Sequence, residues 1–321
     1  MNEALPNKRI AYFDNIKFLL VLLVVFGHMV EISDAGGFEK SVRFFIYLFH
    51  MPVFIFAAGL FFDKHNVTKC CSRVVFFIVL FVAMEIVTWL TDAMLFHTTS
   101  ISLFYVNGMS WFLFAMPVWC AVLSLLRYVN PIVLIAFFTI LALFTGYDDG
   151  IGAFLALSRI IVFFPFFILG TIIDKEKLMA AANKLIVKII ALVVLLLSFI
   201  LILIVYDDIR WMESMLSGQN PFSAMGKFNE YGCIVRFCSY IMTFIVGTAF
   251  ILVIPCGNLP ITSLGQRSLG VYFWDSVLYD VQVFLAPVLH VWQFFVIAII
   301  VTLLLSTKYV FAPFKKLLAV L

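Results

Sequence analysis

Residues 10–30 read IAYFDNIKFLLVLLVVFGHMV, an apolar run of membrane-spanning length with Asp14, Lys17 and His28 set inside it. About 20 such residues cross a bilayer as an α-helix. Lys17 and His28 are eleven residues apart. At about 100° per residue that separation is about 20° beyond three full turns, so both project from one face, about 16 Å apart along the axis. Asp14 lies three residues before Lys17 and Glu31 three after His28. Four ionisable groups therefore share one stripe of a membrane helix. Such groups are costly in hydrocarbon and are expected to face a bundle interior or a wet cavity.

The rest of the chain has the same character. Of its 321 residues 64% are hydrophobic and only 12% charged, where soluble domains run at about 25% charged. The mean hydropathy is +1.14. This composition describes a polytopic membrane protein with little room for an aqueous domain. A formal charge of +3, scattered along the chain, gives no footprint for nucleic acid. The first apolar run carries charge and has no small-residue cleavage signature behind it, so it reads as a retained helix. Six cysteines lie mainly in apolar stretches or basic loops with no Cys-x-x-Cys or Cys/His spacing; neither a disulfide framework nor a metal site is expected. Glycine-rich phosphate loops and the Gly-x-Ser-x-Gly elbow are missing, which disfavours nucleotide hydrolysis and soluble-type serine hydrolysis.

Apolar runs near 10–31, 43–62, 74–95, 110–127, 131–147, 152–173, 186–206, 232–254, 268–287 and 291–311 predict ten spans. Fourteen lysines and arginines fall on the N-terminal side, among them Lys8, Arg9, Lys64, Lys69, Arg73, Lys175 and Lys177, against four on the other, Lys40, Arg43, Arg210 and Lys227. That bias predicts cytoplasmic termini, and both termini on one side require an even number of spans. The longest outer loop, roughly 207–231, is too short for a catalytic ectodomain. The expected fold is all-α, one membrane domain over 1–321 with about ten transmembrane helices.

Five segments carry a family resemblance. YFDNIKFLLVLLVVFGHMV (12–30) resembles the opening of the integral-membrane acyltransferase 3 family, whose first helix has a basic residue, ten others, then histidine, with an acid just before the basic residue. FFIYLFHMPVFIFAAGLFF (44–62) resembles its second helix. SWFLFAMPVW (110–119) and SRIIVFFPFFILG (158–170) resemble the fucose 4-O-acetylase-like branch of polysaccharide O-acetyltransferases, and SLGVYFW (268–274) a late helix. The resemblance implies about ten helices and O-acyl transfer from cytoplasmic acetyl-CoA to a hydroxyl of an envelope polysaccharide or lipid-linked sugar, in a bacterial inner membrane. Three positions depart from the family pattern. Lys69 and Arg73 stand where two arginines are common, Ala58 where a serine is common, and Asp275 where many members have histidine.

Acyl transfer needs a base, for which histidine suits because its ordinary pKa is about 6.5. His28 is the candidate general base or acyl carrier, against the plainer reading of a buried histidine bonded to a neighbouring helix. Lys17 is expected to pair with Asp14 at i, i+3, with a role toward the donor thioester or phosphates as the functional reading and snorkelling as the structural one. Lys69 and Arg73 are candidates for the CoA phosphates, and Arg159 for the anionic donor. Arg159 and Arg236 are each expected to face the cavity and pair with an acid such as Glu85 or Asp275, or with a ligand. Glu31 reads as a solvated helix end, with orientation of His28 as the alternative. His50 is expected to cap the helix break made by Pro52 or to touch substrate. Trp111 reads as an interfacial belt residue, or alternatively as a sugar-stacking platform. The rival function is a transporter or flippase for a sugar or lipid-linked glycan, and a second is a sensor without chemistry.

Overall fold

The computed structural model describes residues 10–32, 35–97, 104–106, 108–285 and 291–320. Lys8 and Arg9 of the basic bias, and the end of the ninth apolar run, lie outside them. Among the described residues every regular element is helical, with one isolated antiparallel bridge between Tyr105 and Phe154. In chain order the α-helices are α1 Ala11–Ile32, α2 Gly37–Gly59, α3 Val67–Leu95, α4 Trp111–Leu125, α5 Pro131–Thr145, α6 Leu157–Ile172, α7 Lys175–Ala182, α8 Leu185–Ile209, α9 Glu213–Leu216, α10 Gly232–Val253, α11 Thr262–Gly265, α12 Ser268–Leu285, α13 Val291–Leu305 and α14 Lys308–Val320.

Each of the ten apolar runs carries a helix, but the helices are not equal. Five stretches, built on α1, α2, α3, α8 and α10, are long and apolar enough to cross a membrane alone. Two bent pairs, α6 with α7 (89°) and α13 with α14 (51°), pass the same test only when taken together. Helices α4 and α5 have 15 residues each, about 22 Å, short of the roughly 30 Å hydrocarbon layer. Helix α12 is diluted by Asp275, Asp280 and Gln282.

Local chemistry sets several of these ends. Asn66 caps α3 by accepting from the Lys69 N–H at 3.0 Å. Asn130 caps α5 with Pro131 at its first position, where the missing N–H costs nothing. Asp174 accepts from the Glu176 and Lys177 N–H groups and turns the chain into α7.

Packing is centred on α2, whose spanning window is 72% buried, whereas α8 is 17% buried and presents its apolar side chains outward. Helices α2 and α6 cross at Gly59 and Gly170. A Cβ at Gly59 would stand 2.2 Å from the Phe167 carbonyl oxygen, and one at Gly170 2.3 Å from that of Phe56. Membrane helices often meet through such small residues. Pro52 inside α2 has no N–H to give, and the carbonyl of Leu48, one turn back, instead accepts from the Thr243 hydroxyl of α10 at 2.7 Å. That corrects the expectation for His50, whose Nδ1 bonds the Ile46 carbonyl at 2.8 Å. The start of α1 is clamped separately. Asn15 donates to the carbonyls of Pro255 (3.0 Å) and Gly257 (2.9 Å) and accepts from Thr262 at 2.6 Å. Gly265 lies flat against the Asp14 carbonyl, leaving no space for a side chain.

Candidate active site

Helix α12 packs on α1 and sets Asp275 beside His28, with Nδ1 and Oδ2 2.9 Å apart. Asp275 is 2% exposed. A carboxylate oxygen accepts, so Nδ1 donates, and in the neutral ring the lone pair is on Nε2. His28 lines an open cavity of about 530 Å³ bordered by α1, α2, α3, the segment leading into α4, α6, the end of α9 with Ser217, and α12. Glu31, Tyr47, His50, Glu85, Asp92, Arg159, Ser276 and Asp280 share its wall. A histidine held by a buried acid therefore borders a polar cavity.

Arg159 enters the cavity from α6 but pairs with neither Glu85 nor Asp275. Its Nε donates to the Ser217 carbonyl at 3.2 Å, Nη1 reaches that of Gly108 at 3.5 Å, and the guanidinium lies 5.1 Å from the Trp111 ring centroid. Trp111 is 7% exposed and packs on Phe163 and Trp119. It is therefore a cavity wall under an arginine, not an interfacial belt residue. Arg236 lies outside this cavity, 1% exposed, donating to the Ala142 carbonyl at 2.9 Å with its guanidinium 4.6 Å from Phe222. It too lacks the expected acid. Asp275 was one of the acids expected for these arginines, beside Glu85; the histidine takes it instead, because α12 lies against α1. Glu31 sits at the exposed rim, accepting from Tyr47 at 3.2 Å with Arg43 3.9 Å away, and does not orient His28.

Lys17 and Asp14 form the expected pair, Nζ to Oδ1 2.6 Å, but they do not line the His28 cavity. They belong to a basic neighbourhood around Phe61. Phe13 packs edge-on to Phe61 at 5.2 Å, Arg73 donates to the Phe61 carbonyl at 2.6 Å, and Lys175 Nζ stands 5.0 Å from its ring centroid. Lys69 is exposed on the first turn of α3. The candidates thus fall into two groups, one at each end of α1.

The sequence reading missed Asp275 as the partner of His28, and with it the wall formed by Leu216 and Ser217. The signal for Asp275 was present as an acid deep in a late apolar run. The loop contribution left no signal, because backbone carbonyls have no sequence identity.

An apolar helical bundle with a buried acid–histidine pair beside a polar cavity describes an integral membrane protein. The family model described as an acyltransferase domain matches residues 10–309, and the chain belongs to that family, acyltransferase 3. No curated protein and no solved structure matches it.

Proposed function

We propose that this protein is a ten-crossing, single-domain membrane O-acyltransferase of the fucose 4-O-acetylase-like branch, with cytoplasmic termini, moving an acetyl group from cytoplasmic acetyl-CoA to a hydroxyl of an envelope polysaccharide or lipid-linked sugar. The observation that carries the reading is the His28–Asp275 pair facing the cavity in a chain of the acyltransferase family. His28 Nε2 takes the proton of the acceptor hydroxyl as its oxygen attacks the thioester carbonyl. The imidazolium formed is stabilised by Asp275 and then returns the proton to the departing CoA sulfur. Arg159 is the cation positioned for the developing oxyanion. The basic group at the other end, Lys17 held by Asp14 with Lys69, Arg73 and Lys175, suits the CoA phosphates. On the expected topology that end is cytoplasmic and the His28 cavity lies in the outer half of the membrane, so the acyl group travels along the face of α1.

The test uses the purified chain in lipid nanodiscs with radiolabelled acetyl-CoA and an envelope-glycan extract. Native protein transfers label and releases CoA, and His28→Ala loses turnover while still binding CoA. A native protein that neither binds nor consumes acetyl-CoA would remove the acyltransferase reading and leave a glycan transporter in its place.

A further inference from the structure

The polar wall of the His28 cavity is one-sided. Its charged members are Glu31, Glu85, Asp92 and Asp280 against Arg159 alone. Arg159 gives Nε and Nη1 to two backbone carbonyls but stays the single cation of the wall, and Arg43, near Glu31, is held by Glu213 at 2.5 Å. Independently of the carboxylates, His50 points to a ligand. It is 4% exposed, lines the cavity, and uses Nδ1 on the Ile46 carbonyl. Nδ1 must donate there, so Nε2 is a lone pair with no hydrogen-bond partner among the described residues. His28 Nε2 has the same status, and Asp280 Oδ2 is buried without a partner. Two imidazole nitrogens and one carboxyl oxygen of the residues lining this cavity therefore have no protein partner among the described residues, and a ligand hydroxyl can supply a missing hydrogen bond.

We propose that the acceptor bound here is a hydroxyl-rich sugar carrying no acid group, and that uronic, sialic or phosphorylated residues are excluded from the reacting position. The proposal rests on the acyl-transfer reading for its reacting hydroxyl and deepens it by naming the acceptor class. Sugar hydroxyls donate to carboxylates and imidazole lone pairs alike, and a vicinal pair spans one carboxylate. A cavity of about 530 Å³ is of the size that holds small ligands. An acid group placed in it adds to a wall where four carboxyl groups face one guanidinium, and a single carboxylate charge at about 6 Å already weakens binding on the order of 100-fold at an effective dielectric of about 20.

The experiment measures binding of matched pairs, methyl glucoside with methyl glucuronide and methyl galactoside with methyl galacturonide, to the full chain in nanodiscs at low salt by saturation-transfer NMR, without donor. The neutral member of each pair binds at least about 10-fold tighter. The preference narrows to below about threefold in Glu85→Gln/Asp280→Asn, or in Asp280→Asn alone should the double variant fail to fold. Equal or tighter uronide binding, or no binding by any glycoside, overturns the proposal. Acetyl-CoA is then added to separate the two readings. Neutral-selective binding without acetyl transfer overturns the acyltransferase reading alone, and transfer to uronides as readily as to neutral sugars overturns this proposal alone.

Discussion

Asp275→Asn is the sharpest perturbation of the His28 pair, because it keeps the shape of the side chain and removes only its charge. In the native protein the carboxylate accepts from His28 Nδ1 at 2.9 Å and is 2% exposed. In the proposed reaction His28 gains a proton, and the imidazolium and carboxylate then attract by about 4 kcal/mol at an effective dielectric of about 20. Loss of that attraction corresponds to roughly 10³ in rate, at about 1.4 kcal/mol per tenfold. The asparagine amide can also donate to Nδ1, which moves the imidazole proton to Nε2 and leaves no lone pair for the hydroxyl. The expected result is a kcat lower by about 10²–10³, within the range for general bases. KM for acetyl-CoA should stay within about twofold, since the basic groups at Lys17 and Arg73 are remote from Asp275. Asp275→Glu should recover part of the loss, and the pH dependence of kcat should change in Asp275→Asn, neither of which a merely structural role would produce. CoA release is followed by chromatography, because exposed Cys71 and Cys238 would react with thiol dyes. A folded Asp275→Asn protein with kcat within threefold of native would show that Asp275 does not govern His28.

Further predictions concern the frame that holds the site. Gly59→Val drives a side chain into the Phe167 backbone carbonyl, where backbone cannot yield; it should lower stability by about 1–3 kcal/mol, read as earlier thermal aggregation in detergent, and an unchanged midpoint would show that α2 and α6 are not in close contact. Thr243→Val orphans the Leu48 carbonyl beneath Pro52 and should cost about 1 kcal/mol with CoA binding intact. Lys17→Met strands the buried Asp14 carboxylate, whose Oδ2 already lacks a partner. With allowance for solvent at the one-third-exposed lysine, the loss is about 1–2 kcal/mol. Asp14→Asn added to it should recover most of that stability in the same thermal assay while CoA affinity stays low, and a double variant less stable than the single would show that the pair is not what neutralises Asp14.

The helices were legible because hydropathy reports a local property, and each of the ten apolar runs carries one. What lay beyond reach was which side chains meet. Arg159 and Arg236 read as cations in search of acids, since a buried charge calls for a counter-charge; both instead lie against carbonyls and aromatic rings, partners that any sequence offers everywhere, and Arg236 Nη2 is left without one among the described residues. His50 beside Pro52 looked like the cap for the broken turn, yet the donor is Thr243, 195 residues from the Leu48 carbonyl it satisfies. Asp275 was visible as an acid in an apolar run but could not be joined to His28 across 247 residues without knowing that α12 lies on α1.

The stripe along α1 was legible as one feature and the fold divides it into two groups. Asp14 and Lys17 neutralise each other within a single turn, which lets a charged pair sit at one end with no help from the rest of the bundle. His28 has no partner on its own helix and depends on α12. The roughly 16 Å between Lys17 and His28 is occupied by LLVLLVVFG (residues 19–27) with no ionisable group. That apolar interval separates a group suited to phosphates from a group suited to a hydroxyl. If both served one polar ligand, such a gap would be a defect. For a donor whose charged part stays at one face while an uncharged acyl thioester extends inward, it is the expected spacing, because only the thioester end has to cross the apolar stretch.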